Sequence, residues 1–139
     1  MKIMIIIVLL IGCVVGVMYL FPQINFREMP KGLLDGQLPE AKPNWVSSFV
    51  AADNAHYIAP LKVETLAKLS VCIQSKVPEV TMTQLNESNL IAYRQSKVFH
   101  FVDWLVIRSD GNVVSSATMG RSDFGKNREL IEHIRTACC

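Results

Sequence analysis

The residues with the most chemical potential lie between Gly120 and Arg128, where the chain reads GRSDFGKNR. Gly120, Gly125 and Lys126 repeat the glycine and lysine spacing of a phosphate-cradling loop. The pattern fails at the positions that carry the chemistry. Asn127 stands where a magnesium-binding hydroxyl is needed, and Asp123 puts a carboxylate among amides that should face phosphate. Only 12 residues follow Asn127, too few to build a parallel sheet behind the loop. Nucleotide hydrolysis is therefore not expected. The same residues suit a tight strand-to-helix corner, with Ser122 or Asp123 capping the last helix. Arg121, Lys126 and Arg128 also cluster there, beside Asp123 and Asn127, as a candidate anion or ligand corner at a helix N-terminus.

The other reactive side chains do not converge in sequence. His56, His100 and His133 fall on separate segments without metal-ligand spacing, so no metal or cofactor is expected. His100 and Asp103 are three apart on an expected strand and point to opposite faces, which argues against a local acid–base pair. Ser47-Ser48 and Ser115-Ser116 lack the context of an activated nucleophile. Trp45, Trp104, Phe99 and Phe101 read as core or interface aromatics. The four cysteines, Cys13, Cys72, Cys138 and Cys139, form no C-x-x-C pair. The terminal Cys138-Cys139 pair reads as incidental, although an oxidising compartment would permit a bond from Cys72 to the tail.

The elements that must hold these residues follow from periodicity. Pro60–Lys76 has a helical stripe of Val63, Leu66, Leu69, Ser70 and Ile73. Val80–Leu85, Leu90–Tyr93, Lys97–Ile107 and Val113–Ala117 read as strands, with Asn86–Asn89 and Asp110-Gly111-Asn112 as turns. Lys126–Thr136 reads as a closing helix with Leu130, Ile131, Ile134 and Ala137 on one side. Short turns favour antiparallel pairing, so the expected class is α+β: a small sheet of three to five strands with two helices packed on it.

Ahead of this domain, Ile3–Phe21 runs for 19 residues without a charged or strongly polar side chain. As a helix it would be about 28 Å long, close to the hydrocarbon thickness of a bilayer. Residues 1–21 are read as a transmembrane anchor, 22–42 as a tether broken by Pro and Gly, 43–137 as a single domain and 138–139 as a tail. Within the tether, Leu33-Leu34 could dock on the domain or on the membrane surface. The competing reading is a lipoprotein signal, because Leu10-Ile11-Gly12-Cys13 resembles a lipobox with Cys13 as the lipidated residue. Against it, the chain stays apolar from Val14 to Phe21. Basic residues on either side of the span are near balance, and the very short N-terminal tail favours a signal anchor. That places the domain outside the cytoplasm, periplasmic on the inner membrane of a Gram-negative cell.

Composition narrows the partners. Beyond the anchor, 13 Lys and Arg face 12 Asp and Glu, which excludes a nucleic-acid footprint and a polybasic membrane patch. About 95 residues can bury one core. The residues from Pro43 to Arg135 also resemble a known family. Gly120–Glu132 looks like the closing motif of the family named domain of unknown function 1499. Pro43–Ser48 with Tyr57–Leu61 resembles its opening motif, and Tyr93–Asp103, with Ser96, Phe99 and Phe101, its central strands. The chain departs from the family where Trp45 replaces a usual cysteine and where Val114 and Thr118 replace two usual arginines. The resemblance implies an exported or membrane-tethered domain and no assigned activity. The expected function is a membrane-anchored binding or accessory domain, with a membrane-protein partner. The alternative is an enzyme whose site centres on Asp123, Asn127 and Arg128.

Overall fold

The computed structural model describes residues 1–25 and 27–139. Helix α1 (Lys2–Asn25) comes first, followed by strand β1 (Trp45–Ser47) and helix α2 (Leu66–Lys76). A four-strand meander follows: β2 (Val80–Leu85), β3 (Asn89–Gln95), β4 (Val102–Arg108) and β5 (Val113–Ala117). Helix α3 (Lys126–Cys138) closes the chain. The strands form one sheet in the order β1-β5-β4-β3-β2, antiparallel at every step. The fold is α+β, with five strands.

Side-chain alternation along the central strands explains why both faces are covered. Leu90 and Ala92 of β3, Leu105 and Ile107 of β4 and Val113 of β5 point to one face, where α2 and α3 supply Leu66, Leu69, Ile73, Leu130, Ile131 and Ile134. The intervening Ile91, Val106 and Val114 point to the other face. There they meet Met29, Leu33 and Leu38 from the segment expected as a tether. Leu33 is fully buried and Leu34 half exposed, so Leu33 takes the first of its two docking options, the domain. The two indoles pin this strap: Trp104 Nε1 donates to the Arg27 carbonyl at 3.0 Å and Trp45 Nε1 to the Pro39 carbonyl at 2.9 Å. Burying a side chain such as Leu33 contributes about 2 kcal/mol.

Three elements differ from the sequence expectation. Helix α2 starts at Leu66, not Pro60. Thr65 caps it by accepting from Lys68 N at 3.2 Å, while Leu61 N donates to the Gly111 carbonyl at 2.9 Å. That tertiary bond holds the segment after Pro60 extended. The expected strand over Lys97–Ile107 begins only at Val102, because Ser96–Phe101 closes a loop in which Ser96 N donates to Phe101 O. Strand β1 is too short, at three residues, to show a period in sequence. Gly111 has two reasons to be glycine: φ is +87°, and a Cβ would lie 2.2 Å from the Leu61 carbonyl oxygen.

Cys72 and Cys138 form a disulfide between α2 and α3. The terminal cysteine pair is thus not incidental: α3 brings Cys138 beside α2 and leaves Cys139 as an exposed thiol. Partial desolvation against the domain raises the Cys139 thiol above its ordinary pKa, against the opposing pull of Arg135 and the Lys62 backbone amide. Helix α1 is apolar and exposed from Ile3 to Leu20, except at Gly16. It is long and apolar enough to cross a membrane.

Candidate functional site

The corner between β5 and α3 is organised by Asp123. Strand pairing persists to Thr118, whose N donates to Val102 O at 2.9 Å, and the chain then turns through Gly120 at φ +86°. Asp123 Oδ1 accepts from Gly125 N at 3.1 Å, and Oδ2 accepts from Asn127 N at 2.7 Å. The carboxylate therefore satisfies free amides at the start of α3 and lies at the positive end of its dipole. Of the two expected caps, Asp123 does this, while Ser122 Oγ accepts from Phe124 N.

Asn127 is the hub. It is fully buried, and its amide nitrogen donates to Asp123 Oδ2 at 2.7 Å and to the Asn44 carbonyl at 3.1 Å. Its amide oxygen lies 2.5 Å from Ser115 Oγ, which also lies 3.0 Å from the Trp104 carbonyl and has a single proton to share. Asn44 in turn donates from Nδ2 to the Gly120 carbonyl at 2.8 Å and accepts from Ala117 N at 3.0 Å. Asn127 thereby ties β1, β5, the corner loop and α3 together. Both of its donors are used within the fold.

The three corner cations differ in their partners. Lys126 Nζ pairs with Glu129 at 2.5 Å, and this hydrogen bond holds the Glu129 carboxyl below its usual range. Arg128 Nη2 donates to the Ala55 carbonyl at 3.2 Å. Arg121 is exposed, with no hydrogen bond or ion pair among the described residues. Next to them, Arg94 and Asp103 face each other across β3 and β4, 2.8 Å apart and 14% exposed each, and Arg94 also donates to the Lys126 carbonyl. Burial raises the Asp103 carboxyl above the usual range; Arg94 opposes this and Asp123 adds to it. His100 is not on a strand: it occupies the β3–β4 loop at φ +55°, with Nε2 2.7 Å from Tyr19 Oη. His100 and Asp103 thus have different partners, but not as opposite faces of one strand, because β4 begins only at Val102.

One arrangement had no sequence signal. The rings of Trp45 and His56 stack at 3.8 Å, nearly parallel, and His56 Nδ1 donates to the Trp45 carbonyl at 3.0 Å. A carbonyl only accepts, so Nδ1 carries a proton in this contact. These two rings line a shallow recess with Pro43, Asp123 and Arg128. The pairing depends on the loop between them folding back, and nothing in either residue's local context announces it. Among the described residues no group of His, Cys, Asp and Glu is arranged to hold a metal ion.

An α+β domain with a five-strand antiparallel sheet, closed by an Asp–Asn corner and preceded by an apolar helix, is the class of molecule that emerges. The chain belongs to the family described as Protein of unknown function (DUF1499), whose model matches residues 37–138. No curated protein and no solved structure matches the chain.

Proposed function

We propose that the chain is a membrane-anchored binding or accessory module that acts outside the cytoplasm. The observation that carries this reading is α1, whose apolar residues from Ile3 to Leu20 are exposed to whatever surrounds the protein. An isolated helix of that character needs lipid around it. The Cys72–Cys138 disulfide adds support, because such bonds persist in oxidising compartments such as the periplasm. The corner residues fit a structural role better than a catalytic one: Asp123 and Asn127 are engaged in holding α3, and Lys126 and Arg128 are engaged elsewhere. The single-pass inner-membrane placement, rather than lipidation at Cys13, rests on the continuous apolar run beyond Cys13.

Intact mass of the protein extracted from washed membranes tests the anchor. The expected value is the full chain. A chain starting at Cys13 with added acyl groups replaces the spanning helix by a lipid, and a soluble chain lacking the first 20 residues removes the anchor altogether. Pull-down from solubilised membranes is expected to recover a stoichiometric partner. Recovery of none with a folded domain counts against the accessory role.

A further inference from the structure

The following inference rests on α1 being a retained anchor. It concerns the end of the sheet where α1 meets the domain. Strand register places three features at that end. Gln95 pairs with Val102, so the Ser96–Phe101 loop caps β3 and β4 there. Thr118 N donates to Val102 O, so the corner loop from Thr118 to Gly125 leaves from the same end. Tyr19, one residue from the end of the apolar span, touches the first of these loops: its ring lies edge-on to His100 at 4.7 Å. A tyrosine at that position of a spanning helix sits at the lipid–water boundary. The loop it contacts is therefore at the same level.

What these loops present is unusual for a surface meant only for water. Phe124 is 91% exposed and Val98 66% exposed. Phe124 is also held at φ +54°, a left-handed conformation costly for a bulky residue. Among the described residues only His100 and Phe124 are non-glycines with positive φ, and both are in these loops. Strain of this kind is retained where a side chain must be presented in a fixed direction. Lys97 and Arg121 flank the apolar pair, exposed and unpaired among the described residues. Apolar tips beside exposed cations are the pattern of a surface that enters the headgroup layer of an anionic membrane.

We infer that this end of the sheet is a lipid-docking surface. It lies on the bilayer that holds α1, with Phe124 and Val98 in the headgroup region and Lys97 and Arg121 on lipid phosphates. Docking fixes the orientation of the domain and leaves the opposite end, with the 86–88 and 110–112 turns, facing outward.

The test uses the full chain in vesicles of phosphatidylcholine with phosphatidylglycerol. An environment-sensitive fluorophore is placed through Val98→Cys, or through Glu87→Cys as the opposite-end control, with Cys13→Ala and Cys139→Ser in both. The expected result is quenching of the 98 label by headgroup-level spin-labelled lipid and its protection from iodide, with the 87 label behaving in the reverse way. Phe124→Asn, which tolerates the left-handed backbone, is expected to abolish lipid quenching at 98 without lowering the melting temperature. Arg121→Gln is expected to weaken docking roughly fivefold on the anionic vesicles. Two water-exposed labels on a chain that remains with the vesicles after carbonate washing overturn the docking surface and leave the anchor standing. A chain released by that wash fails at the anchor itself and takes the docking inference with it. A 98 label protected in native membranes yet iodide-accessible in lipid vesicles shows that a protein covers the surface, and also overturns the lipid occupant.

Discussion

The buried side chain of Asn127 donates to the backbone carbonyl of Asn44, a residue 83 positions earlier, at 3.1 Å. One amide thereby joins the last helix to the residue that leads into β1. Replacing Asn127 removes one partner each from the Asn44 carbonyl, the Asp123 carboxylate and the Ser115 hydroxyl in or near the core. Asn127→Leu is expected to cost about 2 kcal/mol, because a buried polar group that loses its partner keeps its desolvation penalty. For a domain of this size that is about 10 °C in Tm. Thermal unfolding of the detergent-solubilised chain, followed by near-UV circular dichroism, checks it. An unchanged Tm would make Asn127 available for another role.

Asp123 is expected to behave as a cap. Asp123→Asn turns an acceptor aimed at Asn127 N and Nδ2 into a group that can present a donor to them. The expected cost is about 1 kcal/mol, with the Tm falling by about 5 °C. If the variant keeps its Tm and loses a cellular phenotype, the carboxylate has a chemical role and the enzyme reading of the corner is favoured.

Cys72 and Cys138 are 66 residues apart. Closing a loop of that length removes unfolded-state entropy equivalent to about 4 kcal/mol. The double variant Cys72→Ala, Cys138→Ala is expected to lower stability by up to that amount, measured by urea unfolding of the full chain. Alkylation of the unfolded wild type without reductant is expected to mark Cys13 and Cys139 alone. Labelling of all four cysteines would refute the bond.

Asp103 gives a pH dependence with a defined sign. Burial disfavours its charged form more than Arg94 favours it, so its carboxyl titrates above the unfolded value of 3.8. A carboxyl raised by folding contributes stability that is fully present below that value and is lost as pH rises through the folded one. The stability of the wild type relative to Asp103→Asn is therefore expected to be greatest near pH 4 and to decline towards neutral pH. Urea midpoints of both proteins across that range measure it. A relative stability that grows with pH would mean that the pairing with Arg94 outweighs burial.

Much of the fold is local information. The period-two alternation of β3 to β5 and the apolar stripes of α2 and α3 are written in consecutive residues, so the meander and its two helices are readable from the chain. The boundaries that fail are set by distant groups: Gly111 holds the chain after Pro60 extended, and the Ser96 turn shortens the strand after it. The corner shows the same division. Glycines and a capping carboxylate announce a strand-to-helix turn. The separate engagement of Lys126 and Arg128 does not show, because it depends on Glu129 and on the Ala55 carbonyl.

The apolar length of Ile3–Phe21 and the α+β order of elements are determined by the sequence alone, since hydrophobicity and periodicity act over a few residues. Tertiary structure decides three further matters. It selects Cys138 over Cys139 as the partner of Cys72, folds Leu33 beneath the sheet, and brings Asn44 to Asn127. Each joins groups separated by many residues, and such contacts form only when the sheet has fixed which strands are neighbours. The meeting of Tyr19 with His100 is of the same kind, and it sets which end of the domain lies beside α1.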